Sequence, residues 1–140
     1  MYKYHAQYTD FDGNTREEDF YFNLTQAEAL KVVLGKSGGF QRWIQQIIDA
    51  QDGEQLYDAF EKIILAAYGE KSLSGREFIK NPEIMNRFKS TQAYSDLIMK
   101  LIQDSTFAAE FLNGIASEGG SKGTAKQVVS GGIDAEVTVS

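Results

Sequence analysis

Few residues in this chain could do chemistry, and their spacing limits what can be built from them. There is one histidine, His5, and no cysteine. A single imidazole excludes a paired-histidine metal site, and no local serine and acid stand ready to make a triad with it; a cross-strand surface position is the expected role of His5. Without cysteine there is no thiolate and no disulfide framework, so no redox role is available. Glu17, Glu18 and Asp19 would suit acid–base work as paired carboxylates. On a strand, however, neighbours in that run point to opposite faces, and a solvated face toward Lys3 is expected instead. Asp10, Asp12 and Asn14 have the spacing that opens a calcium loop, but Thr15 stands where the sixth-position glycine belongs and Tyr21 where the bidentate glutamate belongs. Gly35-Lys36-Ser37 imitates the end of a phosphate-binding loop, yet Leu30 replaces the leading glycine and the preceding segment has a helical pattern where a strand is required. No catalytic residue, metal or cofactor is expected from these groups.

Composition narrows the classes further. The 140 residues, 42% of them hydrophobic, suffice for one domain with an ordinary core. The net charge of -6 repels a phosphate backbone and provides no polybasic anchor, so neither nucleic acid nor a membrane surface is an expected partner. The opening MYKYHAQYTDFDG lacks an apolar signal core, and no run approaches the roughly 18 apolar residues of a membrane span. A soluble, intracellular protein is expected.

The elements that must position these groups follow from periodicity. Tyr2, Tyr4, Ala6 and Tyr8 alternate with polar residues, as do Glu18, Phe20 and Phe22, which predicts two strands around the turn Asp10-Phe11-Asp12-Gly13-Asn14. An odd loop gives the hairpin one apolar face, with Tyr4 opposite Phe22 and Ala6 opposite Phe20. Beyond Phe22 the period becomes helical. Thr25 and Glu28 form a capping box for a first helix over about 26–34, stopped by Gly35. Phe40, Trp43, Ile44, Ile47 and Ile48 mark a second helix, and Asp52 caps a third, over about 53–68, with Leu56, Phe60, Ile63, Ile64 and Ala67 on one stripe and Gly69 as its C′ residue. Residues 70–80 fit a small hairpin or an extended loop equally well. Asn81-Pro82 starts a fourth helix, Ser90 or Thr91 a fifth, and Asp104 or Ser105 a sixth that Gly114 ends. From Ser117 the aromatic residues stop and Gly, Ser, Thr and Lys dominate, the composition of a flexible segment, with strand-like alternation at 133–139.

Three stretches in this order, DFDGNTREEDFYFNLTQAEAL, FEKIILAAYGEKSLSGREFIKNPEI and STQAYSDLIMKLIQDSTFAAEFLNGI, resemble the tail assembly chaperone family of long-tailed bacteriophages. The most family-like features are Tyr68-Gly69, Ser72 to Phe78, Thr91 to Tyr94 and Asn113-Gly114-Ile115, and the resemblance covers about residues 1–116. It implies a non-enzymatic factor of the host cytoplasm, absent from the finished virion, that coats the tape measure protein and keeps it soluble while the tail tube assembles. It further implies the tail tube protein as a second partner and a longer form of the chain made by ribosomal frameshifting. The alternative is a structural tail completion or connector subunit, with 133–139 adding a strand to a neighbour.

The expected architecture is therefore α+β, mainly α. An N-terminal β-hairpin packs on a bundle of five or six short helices over 1–116, followed by a Gly/Ser-rich segment over 117–140. Because a lone hairpin is unstable in water, Tyr4, Phe20 and Phe22 are expected to face Ile47, Phe60 and Ile64. Met85, Phe88, Tyr94, Ile98, Phe107 and Phe111 exceed what three short helices need to cover one another. They form the expected protein-binding set, an adaptable apolar groove for helical client segments.

Overall fold

The hairpin closes where one carboxylate organises the turn. In the computed structural model, which describes residues 1–34 and 38–116, β1 (Tyr2–Thr9) pairs antiparallel with β2 (Thr15–Phe22) around a five-residue loop. Asp10 Oδ1 accepts hydrogen bonds from the Asp12 and Asn14 N–H groups, each at 2.9 Å, and Arg16 Nε donates to Asp10 Oδ2 at 2.6 Å. The residues that imitate a calcium loop are thus the framework of the turn. The odd loop produces the single apolar face that was expected, but the register differs by two residues: Tyr4 pairs with Phe20, Tyr2 with Phe22 and Ala6 with Glu18. Asp10 fixes this by drawing the strands together at Thr9 and Thr15, and parity alone does not choose among odd registers.

Among the described residues six helices follow: α1 (Gln26–Val32), α2 (Gly39–Ala50), α3 (Gly53–Ala67), α4 (Pro82–Lys89), α5 (Gln92–Gln103) and α6 (Ser105–Ala116). Side chains satisfy the first free N–H groups of most of them. Thr25 and Glu28 form the reciprocal capping box of α1. Asp52 accepts from Glu54 and Gln55, Asn81 from Ile84, Thr91 from Tyr94, and Asp104 from Phe107. Residues 35–37 and 117–140 lie outside the described residues, and with them the Gly35 stop, the Gly35-Lys36-Ser37 motif and the 133–139 alternation.

Of two glycines expected at helix ends, Gly69 does follow the C-cap of α3 but without a left-handed turn, and Gly114 does not end its helix. Gly69 lies in β3 (Tyr68–Lys71), which leaves α3 directly through an extended Tyr68. A Cβ on Gly69 would stand 2.7 Å from a Phe78 ring carbon and 2.8 Å from the Ile79 carbonyl oxygen, so the residue serves close approach of β4 (Phe78–Ile79). Gly114 sits inside α6, where a Cβ would meet the Tyr2 ring at 2.6 Å. That helix continues to Ala116 because Ile115 is fully buried and its carbonyl accepts the Leu24 N–H at 3.0 Å.

The segment left open between hairpin and loop is a hairpin, and it joins the first one. The sheet order is β1-β2-β3-β4, with β2 meeting β3 at Tyr21↔Gly69 and Phe22↔Tyr68. Its apolar face packs on the bundle as expected, but the ring contacts go to other helices than those named from sequence. Tyr2 meets Phe111, Tyr4 meets Phe107, and Phe20 and Phe22 meet Tyr68 and Phe88. Phe60 and Ile64 share the continuous core with Phe22, while Ile47 packs at its margin. The reason is topological: β3 pins the C-terminal end of β2 beside α4, which turns the hairpin face toward α4, α5 and α6.

Candidate protein-binding surface

Among the six residues nominated from sequence, two pairs are in ring contact. Phe88 and Tyr94 meet edge to face at 5.6 Å and Phe107 and Phe111 lie 6.1 Å apart. Five of the six are buried; Met85 alone is partly exposed. The apolar surplus of α4, α5 and α6 is covered by Tyr2, Tyr4, Phe20, Phe22 and Tyr68, with Tyr68 stacked on Phe88 at 4.2 Å. Counting what three helices need for each other left out the sheet, whose inner face supplies the missing cover. Burial, a nearby Glu61 carboxylate and a hydrogen bond to that same carboxylate push the Tyr94 hydroxyl well above its ordinary range.

A separate opening in the bundle combines polar rim residues with a buried apolar floor. A groove of about 510 Å³ runs between the α2–α3 turn and the α5–α6 turn. Ile48, Leu56, Phe60, Leu101, Ile102 and Ala108 supply its apolar lining, with Asp49, Gln51, Gln103 and Ser105 among its polar residues. Asp52 and Asp104, the caps of α3 and α6, hold the two turns that bound it. Sequence reasoning missed this groove, although the half-buried Ile48, Leu56 and Ile102 each fall at the edge of an apolar stripe.

A second opening of about 520 Å³ lies where β2 and β3 diverge, lined by Glu18 to Tyr21 and Tyr68 to Lys71. The wall is charged, and the outer hairpin face beside it is a hydrogen-bonded acid row. His5 stands opposite Asp19 and bonds to Asp19 at 2.7 Å and Glu17 at 3.0 Å, while on the opposite face of the hairpin Tyr8 donates to Glu18 at 2.6 Å. The acidic run is therefore partnered by His5 and Arg16, and Lys3 faces Tyr21 instead. Hydrogen bonds to Asp19 and then Glu17 raise the His5 pKa above 6.5. The folded value exceeds the unfolded one, so the stability His5 contributes is fully present below pH 6.5 and is lost as pH rises through the folded value. An NMR titration of the ring is expected to show a midpoint above 6.5 that falls in Asp19→Asn; an unshifted midpoint in the parent chain would contradict the pairing.

Lys80 is a further residue without a sequence signal. Its ammonium donates to the Asn23 carbonyl at 2.7 Å, the Ala66 carbonyl at 2.8 Å and Glu28 Oε1 at 2.9 Å, joining the ends of β2 and α3 to the start of α1. Burial works to raise the Glu28 carboxyl, but the Thr25 N–H and Lys80 outweigh it and its pKa is lowered. Lys80→Met keeps the apolar stem and removes all three bonds, with an expected loss of about 2 kcal/mol by urea unfolding. An unchanged midpoint would show that solvent replaces these contacts without loss.

Among the described residues no group of three or more His, Asp or Glu side chains is placed to hold a metal ion, and no helix is long and apolar enough to cross a membrane. No curated protein and no solved structure matches the chain. The family described as phage tail assembly chaperone matches residues 1–127, which spans both hairpins and all six helices. A four-stranded sheet on a helical bundle thus has its place: this chain belongs to the phage tail assembly chaperone family.

Proposed function

We propose that this chain binds the phage tape measure protein and keeps it soluble while tail tube subunits polymerise around it. It acts without catalysis, in the host cytoplasm, and leaves before the virion is complete. The match to the chaperone family over residues 1–127 carries this reading. The tail tube protein and a frameshifted longer form of the chain are its further partners in the same proposal. Residues 1–116 form the binding domain and 117–140 an appendage to it. Of the six residues nominated from sequence, Met85 meets a client at the surface; Phe88, Tyr94, Ile98, Phe107 and Phe111 do so only where the packing that buries them opens, which includes the first hairpin over Phe107 and Phe111 and Tyr68 over Phe88. The alternative of a structural completion or connector subunit has the family match against it.

Co-expression with the tape measure protein tests the proposal. The client is expected in the soluble fraction with this chain and in the pellet without it. Equal solubility in the two cultures would overturn the reading.

A further inference from the structure

The groove between the α2–α3 and α5–α6 turns has walls of side chains and no strand edge. An occupant therefore finds no ladder of backbone donors and acceptors there and must satisfy its own, as a helix does. Beyond the lining, Met99 lies one turn before Ile102 on α5 and is exposed. The charged residues that line it or cap its bounding turns, Asp49, Asp52 and Asp104, have one sign, whereas Glu61 farther along α3 is paired with Lys89. Between Arg42 and Lys62 the chain carries Asp49, Asp52, Glu54, Asp58 and Glu61 and no cation, and between Lys100 and Ala116 it carries Asp104 and Glu110 and no cation. The two bounding lysines are turned to other work, Lys62 toward the Trp43 ring and Lys100 over the Phe107 ring at 4.3 Å. Nor does a basic residue offset the C-terminal end of α2.

We propose that this groove is a docking site for an amphipathic helix whose apolar stripe is flanked by lysine or arginine. The apolar stripe fills the lining from Ile48 to Ala108, and the flanking cations face Asp49 and the acidic start of α3. Charge complementarity selects this occupant: a helix flanked by carboxylates would fit the same apolar floor and be repelled at the rim. The proposal rests on the chaperone reading for its biological client, and the groove's preference is measurable without that client.

The probe is a pair of synthetic 18-residue helical peptides with one shared leucine stripe, flanked by lysine in one and glutamate in the other. Using the full chain, the lysine peptide is expected to shift the backbone NMR signals of residues at Ile48, Leu56 and Ile102, with affinity falling as salt rises. The glutamate peptide is expected to bind at least about tenfold more weakly. Ile102→Lys, at a half-buried position, is expected to retain the parent fold and lose at least about tenfold in affinity for the lysine peptide. Should that variant unfold, Asp49→Lys, on the exposed rim, is the second test and carries the same expectation. Equal binding of the two peptides, shifts confined to the β2–β3 opening, an undiminished affinity in a folded variant, or no binding at all would overturn the proposal. Co-expression separates the two readings. If the parent and Ile102→Lys both keep the tape measure protein soluble, the groove is wrong and the chaperone reading stands; if the parent does not, the chaperone reading fails whatever the peptides do.

Discussion

Phe111→Ala is expected to lower stability by about 3–5 kcal/mol. Phe111 is fully buried and sits where sheet and bundle meet, with its ring 5.1 Å from Tyr2, 5.2 Å from Phe22 and 6.1 Å from Phe107. Removing it loses the transfer free energy of the ring and leaves a void that neither element can close alone. The backbone of β1 is held by β2 along its whole length, and α6 is tied at its end by the Leu24–Ile115 hydrogen bond. Relaxation is therefore small, and the cost falls toward the upper end of that range. Urea unfolding followed by far-UV circular dichroism would measure it. A loss below about 1 kcal/mol would mean that the hairpin does not rest on α6 in solution.

Phe60→Ala is expected to cost a similar amount, about 3–5 kcal/mol, for a different local reason. The residue is 2% exposed on α3 and underlies the groove, so its ring supports Ile48 and Leu56 from below as well as filling the core. Truncation would deepen the groove while weakening the bundle. The thermal midpoint is expected to fall by roughly 10 °C or more. An unchanged midpoint would place Phe60 at the surface and make it a client contact instead of a core residue.

What the sequence determined by itself is the first hairpin, the six helices and where five of those helices start. Helix starts at Thr25, Asp52, Asn81, Thr91 and Asp104 depend on a side chain reaching an N–H two or three residues ahead, so the whole interaction is written in one short stretch. The apolar face of the first hairpin and the stripes of α2, α3, α5 and α6 are legible for the same reason, since period two and period 3.6 are local. The family resemblance was legible too, from motifs that are themselves helix and turn boundaries. Glycine misled at Gly114, because a glycine needed for close approach is indistinguishable in sequence from one that ends a helix. Only the tertiary structure decided which faces meet. The choice of β3 as partner for β2, the covering of Phe107 and Phe111 by tyrosines more than 100 positions away, and the reach of Lys80 to Asn23 across 57 residues depend on shape and burial between distant elements. The same holds for the groove, which exists because two turns that share no sequence signal stand side by side. Local hydrogen bonds specify where a helix begins; competition among all apolar faces for cover specifies which of them remains open.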